Sequence, residues 1–434
     1  MPLMENSKAV PSIHDRALGG YIRTPDGDLI HCVGRHSQWV QLDVLTPHTN
    51  SAAAEHSAVE RITSLFDTEL RYHALNDQWE DQGREHFASK ARFFVSHNLQ
   101  LQFCPPAFPC KSSNPDKVLG VYPDKGEEIA LRRLHGFVQK IERIYPPGAK
   151  ILIVSDGHVF SDCIGVDDKT VDTYGTRLKE LNQAIESSVG GQQKRVQFQS
   201  LVDLFNLMSY ADSSLPSGVK AFKIPALHHD LATTLDDVAE TCRRILVAGC
   251  QPSRELLRAQ INSGDNSTLA LYRGFSRFML EDLDRHPLTD SLSRSRRKKL
   301  AAKVSFEMIL RNQAYSNLIE LMFPDHLRLS IHAHSNSGPK FGIRLFDTAT
   351  VRAVRELDPV ADGYRDDAMS ASHLLHIPTP WHNCVAQVAG DPTLYIVKYG
   401  AVKEALFLHR YNFDIVKGSL AKGEGAFVSL KRSL

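Results

Sequence analysis

Apolar residues between positions 124 and 145 recur every three to four residues, a spacing that predicts one amphipathic helix. Asp124 stands where the N-cap of this helix belongs, and Glu127 follows three residues later, as in a capping box. The helix is expected to end at Tyr145, because the Pro-Pro-Gly sequence that follows cannot continue it.

The next apolar run, Lys150 to Val154, has no polar alternation and predicts a short strand buried on both faces. Residues 166–188 and 231–248 return to helical spacing, and residues 196–205 contain another strand. This alternation predicts an α/β fold with a Rossmann-like, mostly parallel sheet flanked by helices. Residues 252–323 are predicted to be helical almost throughout.

After Pro324 the pattern alternates with a period of two, which predicts a strand at residues 327–331. A second strand at 340–346 follows a turn sequence, and together the two are expected to form a hairpin. Residues 395–398 and 405–408 are further strand candidates, so the fold is expected to include a smaller β-rich C-terminal part.

These patterns divide the chain into three regions. In the first region, the sequence from Thr24 to Gly27 predicts a turn between two short strands. The regions are an N-terminal extension (1–85), a Rossmann-like α/β catalytic domain (86–325) and a C-terminal β-rich subdomain that completes the site (326–434).

Composition narrows the classes of partner. The 51 Lys and Arg residues balance 50 Asp and Glu residues, so the chain lacks the basic excess typical of nucleic-acid binding. The apolar runs are too short for a membrane span, and the first residues lack an apolar signal core. Seven cysteines without a C-x-x-C pair predict reduced thiols. We therefore expect a cytoplasmic protein that binds neither nucleic acid nor membrane.

Common cofactor motifs are missing: the chain contains no P-loop, no G-x-G-x-x-G after a strand and no G-x-S-x-G elbow. The sequence His228-x-Asp230 is the local half of an iron facial triad, and His332-x-His334 also has a metal-binding spacing. Among 20 histidines such pairs are expected by chance. The hypothesis is therefore an activity independent of metal, with a non-heme iron 2-oxoglutarate oxygenase as an alternative.

The loop from Phe108 to Lys117 combines lysines, hydroxyls and an amide, and it leads to a helix N-terminus, where an anion is favoured. A solvated loop is the alternative interpretation. Asp156, His158 and Asp162 follow the strand at 150–154, at the sheet edge where α/β folds bind ligands. They are candidate acids and bases, although Asp156 could instead cap a turn.

Arg328 and His332 share one face of the predicted strand, and the expected hairpin would bring Arg344 close to them. Two guanidinium groups placed in this way suit a phosphate. The alternative is that they are ordinary exposed strand charges.

Five segments in this order resemble the isocyanide (isonitrile) synthase family, also called the pyoverdine/dityrosine biosynthesis family. The resemblance spans roughly residues 90–400. The segments are FPCKSSNPDKVLGVYPDKGEEIAL (108–131), ILIVSDGHVFSDCIGVDDKTVDTY (151–174), LYRGFSRFMLEDL (271–283), RLSIHAHSNSGPKFGIRL (328–345) and TPWHNC (379–384).

This resemblance implies an enzyme of secondary metabolism that converts the α-amine of an L-amino acid into an isonitrile, with ribulose 5-phosphate as the carbon donor. Tyrosine is the first choice of substrate, with tryptophan or valine as alternatives. No cofactor is implied beyond this co-substrate, and a downstream iron/2-oxoglutarate oxygenase is implied as a pathway partner. A dityrosine-type branch would instead form an N-formyl amino acid.

Such chemistry requires a phosphate clamp and at least one acid/base pair. A sugar-phosphate-binding protein without catalysis remains a rival, although it would not need acids and bases at the strand end. The expected catalytic residues are Lys111, Asp156, His158, Asp162 and His382, and the expected substrate-binding residues are Ser112, Asn114, Lys117, Arg273, Arg328, Lys340 and Arg344.

Overall fold

The structure, a computed structural model, describes residues 20–23, 29–32, 52–74, 76–190, 194–205, 237–332, 334–354, 357 and 378–433. Its strands are β1 (Gly20–Arg23), β2 (Leu29–Cys32), β3 (Leu101–Cys104), β4 (Ala149–Val154), β5 (Val196–Gln199), β6 (Leu327–Ser330), β7 (Lys340–Gly342), β8 (Val351–Ala353), β9 (Cys384–Val388), β10 (Leu394–Val397), β11 (Tyr411–Val416) and β12 (Phe427–Arg432).

Its α-helices are α1 (Ala52–Glu69), α2 (Arg84–Ser96), α3 (Lys125–Ile144), α4 (Gly157–Ile164), α5 (Asp168–Val189), α6 (Leu201–Phe205), α7 (Asp237–Cys250), α8 (Arg254–Ser263), α9 (Asn266–Asp284), α10 (Arg294–Met322) and α11 (Tyr399–Phe407). A π-helical turn (Trp79–Gly83) and two 3-10 helices (Pro380–His382 and Leu420–Lys422) complete the regular structure of the described residues.

The central sheet has five parallel strands in the order β5-β4-β3-β6-β7. Residues 151 to 154 of β4 are at most 3% exposed, as expected for a strand covered by helices on both faces. The predicted α/β class with a parallel sheet and a smaller β-rich C-terminal part is confirmed. The second sheet has the order β11-β12-β9-β10-β8 and is mixed.

The predicted hairpin at 327–346 is wrong, because β6 and β7 run parallel, with Arg328 opposite Lys340. Their connection is longer than the two to five residues typical of a hairpin loop, so the chain can return to the end where it began. Asn336 anchors this connection, since its side chain donates to Tyr72 O at 2.7 Å and accepts from Gly342 N at 2.8 Å. The central sheet therefore takes two strands from beyond residue 325.

Two further expectations met different outcomes. The strand predicted at 395–398 is confirmed as β10, whereas residues 405–407 belong to α11 and were wrongly predicted as a strand. Short apolar runs do not distinguish the two structures, and Val402 and Ala405, three residues apart, are the buried face of this helix.

Part of the predicted N-terminal extension belongs to the main core. Val59, Ile62 and Phe66 of α1 and Leu70 just after it are fully buried, and the ring of Phe66 stacks on Phe87 at 4.4 Å between centroids. β1 and β2 pair antiparallel, which confirms the two short strands, while the turn predicted between them lies outside the described residues. Among the described residues, none of the helices combines the length and hydropathy of a membrane-spanning segment.

Buried ion pairs attach α4 to the helices around it. Asp162 forms a bidentate pair with Arg311 of α10, at 2.5 and 2.8 Å, and neither side chain is exposed. Arg243 of α7 pairs with Asp168 of α5 at 2.8 Å and also donates to Ser161 Oγ of α4 at 3.1 Å. Asp162 was expected to transfer protons, but the structure places it in this structural ion pair.

Lys111 joins three parts of the chain. Its Nζ lies 2.8 Å from Asp124 Oδ2 and 2.8 Å from Glu127 Oε2, and it donates to Pro380 O at 2.9 Å. Asp124 and Glu127 also form the predicted capping box at the N-terminus of α3. Tyr174 of α5 donates to the second oxygen of Glu127 at 3.0 Å.

The structure therefore places Lys111, which was expected to be catalytic, in a buried ion cluster. Its side chain is fully buried. Burial alone would lower the pKa of Lys111, but the carboxylates of Asp124 and Glu127 outweigh burial and hold that pKa above its usual value. Lys111 is held as a cation between two buried carboxyl groups, and burial raises the pKa of one of them, Asp124, to about 7.

Replacing Lys111 by methionine is expected to lower the free energy of unfolding by about 3–5 kcal/mol, because it leaves two carboxylates buried without a counter-ion. Lys403→Met is the matched control, since Lys403 is 45% exposed and pairs with Asp116 at the surface. Its effect should stay within about 0.5 kcal/mol. Urea unfolding followed by tryptophan fluorescence measures both, and equal midpoints for the two variants would contradict this role.

Candidate active site

A cavity of about 120 Å³ lies at the carboxyl ends of β3, β4 and β6. Asp156 follows β4, and His332 follows β6. The segment after β3 contributes Pro106, Pro109, Cys110, Ser112 and Ser113. Residues of α9 and α10 and the 3-10 helix at Trp381 cover the opposite side. This is the edge where parallel α/β sheets bind their ligands.

The residues that line the cavity change from apolar to cationic along helix α10. Met308, Asn312, Tyr315 and Ser316 all line the cavity, and the first and last of them are separated by about 12 Å along a helix that rises 1.5 Å per residue. Met308 packs in one apolar cluster with Phe275, whereas Ser316 contacts two cationic side chains. We call these the apolar end (Phe160, Ile164, Phe275, Phe278, Met308) and the cationic end (Arg328, His332, His334, Lys340).

The cationic end depends on the parallel register of β6 and β7, which puts Arg328 and Lys340 on neighbouring strands. Arg328 donates to Ser316 O and Oγ at 3.2 Å and to Glu320 at 3.2 Å, while its buried Nε has no hydrogen-bond partner among the described residues. Lys340 Nζ also contacts Ser316 Oγ. Burial, with Arg328 nearby, lowers the pKa of Lys340 to about 8.

His334 supplies this end with hydrogen bonding rather than charge. His334 Nε2 lies 3.0 Å from Ser330 Oγ, and burial together with Lys340 and Arg328 lowers the pKa of His334 to about 4. In the part of the chain that the structure describes, no group of three or more His, Cys, Asp and Glu residues could hold a metal ion. The pair His228 and Asp230 lies outside the described residues.

Asp156 lines the cavity near Tyr315, a residue of α10 that lies between Met308 of the apolar end and Ser316, which contacts the cationic end. Its position is the N-cap of α4, yet its side chain makes no capping hydrogen bond, and its buried Oδ1 has no partner among the described residues. Burial of this carboxyl raises its pKa to about 7. A carboxyl group of this kind can accept and return a proton near neutral pH.

A second carboxylate of the cavity, Asp282 of α9, lies beside the apolar end and was not among the residues expected from the sequence. Its Oδ1 accepts from Ser112 Oγ at 2.7 Å and lies 2.8 Å from Lys117 Nζ. Asn114 donates to Glu281 O at 2.7 Å. The loop that was expected to bind a substrate anion therefore holds α9, and Lys117 is neutralised by the protein itself.

His382 lies at the wall of the cavity against Phe278, with 4.7 Å between ring centroids. Its Nδ1 is 3.1 Å from Thr379 Oγ1. Burial, reinforced by Lys117 and other lysines, holds the pKa of His382 well below its usual value. The structure thus brings the predicted His382 to the site as a neutral imidazole.

Three predicted residues lie elsewhere. After β7 the chain forms an antiparallel bridge between Ile343 and Arg71, which places Arg344 beside α1. There Arg344 donates to Thr68 O at 3.4 Å. The expected clamp of Arg328 and Arg344 is therefore wrong. His158 is buried, and its Nε2 lies 3.1 Å from Asp172 without hydrogen-bond geometry. Arg273 is exposed on α9.

Tyr315, Asn312 and Asp282 reach the cavity but carry no local signal that marks a site. Tyr315 donates to Val154 O at 2.9 Å and so fixes α10 against the end of β4. Asp282 falls inside the segment LYRGFSRFMLEDL, which was quoted for its resemblance. That segment was the one signal by which Asp282 could have been found.

Comparison with known proteins supports this interpretation. The family model described as "Pyoverdine/dityrosine biosynthesis protein" matches residues 91–408. The spore wall maturation protein DIT1 of Saccharomyces cerevisiae is 44% identical over 83% of this chain and 66% of its own length. An L-tyrosine isonitrile synthase of Xenorhabdus nematophila is 32% identical over 70% of this chain and 72% of its own.

A solved structure shares the fold. The crystal structure of the PvcA protein from Pseudomonas aeruginosa superposes with a TM-score of 0.62 and 23% identity, covering 86% of this chain and 99% of that one. Since the match to the family model spans most of the chain, from α2 to just after α11, it includes both ends of the cavity. The chain belongs to the pyoverdine/dityrosine biosynthesis family, in which isonitrile synthases are found.

Proposed function

We propose that this enzyme converts the α-amine of an L-amino acid into an isonitrile, with C2 of ribulose 5-phosphate as the source of the carbon. Tyrosine is the first choice of substrate, and the product belongs to secondary metabolism. The observation that carries the proposal is the order of groups along α10: paired cations, then an unpaired carboxyl group, then an aromatic-lined end. Two substrates, one phosphorylated and one with an amine, suit that order.

The cationic end would hold the sugar phosphate. Arg328 presents its guanidinium beside Lys340, and a phosphate has the charge and the acceptor oxygens that such a pair recognises. His334, whose pKa is lowered, adds a hydrogen-bonding group without more positive charge. Lys340, rather than Arg344, is therefore the second cation of the proposed clamp.

Asp156 would act as the general base when the amine of the amino acid condenses with the C2 ketone of ribulose 5-phosphate. An ammonium group must lose a proton before its nitrogen attacks the C2 ketone, and a neighbouring carboxylate can both attract the ammonium and take that proton. Condensation releases water, and later steps move further protons as phosphate and the remaining sugar fragment depart. Asp156 has no cation of its own among its described contacts, so it is suited to this role.

The N-formyl product is the second candidate, because the yeast relative with 44% identity is named for spore wall maturation. An N-formyl amino acid differs from the isonitrile by one molecule of water, so the same site could lead to either. We expect activity in the cytoplasm without an added metal, and a downstream iron/2-oxoglutarate oxygenase that consumes the product. The oxygenase alternative for this chain rests on His228 and Asp230 alone.

Incubating the enzyme with each of the twenty amino acids and ribulose 5-phosphate labelled with carbon-13 at C2 tests the proposal. The expected result, with EDTA present, is a labelled isonitrile formed from tyrosine and detected by mass spectrometry. A labelled formamide at the earliest time point would favour the second candidate. Absence of labelled product with all twenty, in a folded preparation, would rule out both.

The pH dependence of kcat/KM is expected to be bell-shaped. Activity should rise as Asp156 ionises through about pH 7 and fall as Lys340 loses its proton through about pH 8. Asp156→Asn should abolish turnover, and Lys340→Arg, which stays charged, should remove the falling limb. A falling limb that is unchanged in Lys340→Arg would show that another group titrates there.

Removing one cation of the clamp is expected to weaken ribulose 5-phosphate binding by roughly 10- to 150-fold, since a charge-assisted hydrogen bond contributes about 1.5–3 kcal/mol. Arg328→Gln and Lys340→Gln should both show this loss in calorimetric titration, while amino-acid affinity changes far less. Arg344→Gln is the matched control and should bind like the wild type, because Arg344 lies beside α1. Equal losses in all three variants would argue against the clamp.

A further inference from the structure

Asp282 has hydrogen-bonding capacity that the protein does not use. Its described contacts, with Ser112 and Lys117, both involve Oδ1, and within the described residues no hydrogen bond or ion pair involves Oδ2. The residue is 4% exposed and lines the cavity. A carboxylate can accept about four hydrogen bonds, so Oδ2 can bind a donor from a ligand in the cavity.

The charge on this carboxylate is already balanced. The side chains of Lys117 and Asp282 are 3% and 6% exposed and form a neutral buried pair. A substrate ammonium at Oδ2 would place a second cation beside Lys117 in a poorly hydrated site, which costs free energy. A neutral O–H donor adds no charge, and the ammonium is better placed at Asp156, which has no cation partner among the described residues.

The walls around Asp282 are flat, apolar and held in place. Lys117 Nζ lies 4.4 Å from the centroid of the Phe278 ring, and His382 packs edge-on against the same ring. Phe275 and Trp381 also line the cavity. A chamber of this kind fits an aromatic ring that carries a hydrogen-bond donor.

We propose that Asp282, positioned by Lys117 and Ser112, determines substrate specificity by accepting a hydrogen bond from the phenolic hydroxyl of an aromatic L-amino acid. This inference rests on the proposed function and assigns the amino-acid side chain to the apolar end. A site built to bind a hydroxyl group rejects the analogue that lacks it, because the buried acceptor is then left without a partner.

Calorimetric titration without ribulose 5-phosphate tests the inference separately from turnover. Wild-type enzyme should bind L-tyrosine on the order of 100-fold or more tightly than L-phenylalanine. The double variant Asp282→Leu/Lys117→Met removes the acceptor and its counter-ion together, so it buries no unpaired charge, and the preference should fall to within about threefold. Arg273→Gln, an exposed change on the same helix, should keep the full preference.

A ligand series on the wild-type enzyme does not depend on how the variant folds. 4-Aminophenylalanine, which retains a donor, should bind more tightly than 4-methoxyphenylalanine, which has none. Equal affinities for tyrosine and phenylalanine, or a tyrosine preference that survives in the folded double variant, would overturn the proposal. If tyrosine is selected through Asp282 but no isonitrile or formamide forms, the proposed function fails while this assignment stands.

Discussion

The buried cation of Lys111 is the interaction on which the rest of the site depends. It pairs with Asp124 and Glu127 at the start of α3 and also donates to the carbonyl of Pro380. Ser112, the next residue, donates its N–H to Trp381 O at 2.8 Å. One ion cluster thus fixes the loop after β3, helix α3 and the 3-10 helix that carries His382. The loop after β3 and the 3-10 helix both line the cavity, so the same cluster positions these two walls relative to each other.

Charge balance divides the ionisable groups around the cavity into two kinds. Lys111, Lys117, Asp162 and Asp282 each have a protein partner of opposite charge, so they support the structure or offer only a spare lone pair. Asp156 has no such partner, and burial perturbs the pKa values of both Asp156 and Lys340 towards neutrality. At the carboxyl edge of the sheet, Asp156, which has no counter-ion, and Arg328, whose partner Glu320 is 66% exposed, are therefore suited to bind or change a substrate.

Expectations that depended on neighbouring residues were confirmed more often than those that depended on distant ones. The capping box of Asp124 and Glu127 is a local interaction over four residues, and the sequence pattern predicted it. The direction of β7 relative to β6 was wrong, because alternation assigns side chains to faces of a strand but does not set the direction of its neighbour. The position of Arg344 depended on that direction and was wrong for the same reason.

The sequence by itself determined the α/β class, the helix at 125–144, the buried strand at 149–154 and the family, because periodicity, capping and motif order are recorded along the chain. It also placed Asp156 and Arg328 among the candidates. Only the tertiary structure decided which ionisable residues are already neutralised. Lys111 and Asp124 are close in sequence, but Asp162 and Arg311 are 149 residues apart. A charge acquires its role from the partner it meets in space, and that partner is set by packing.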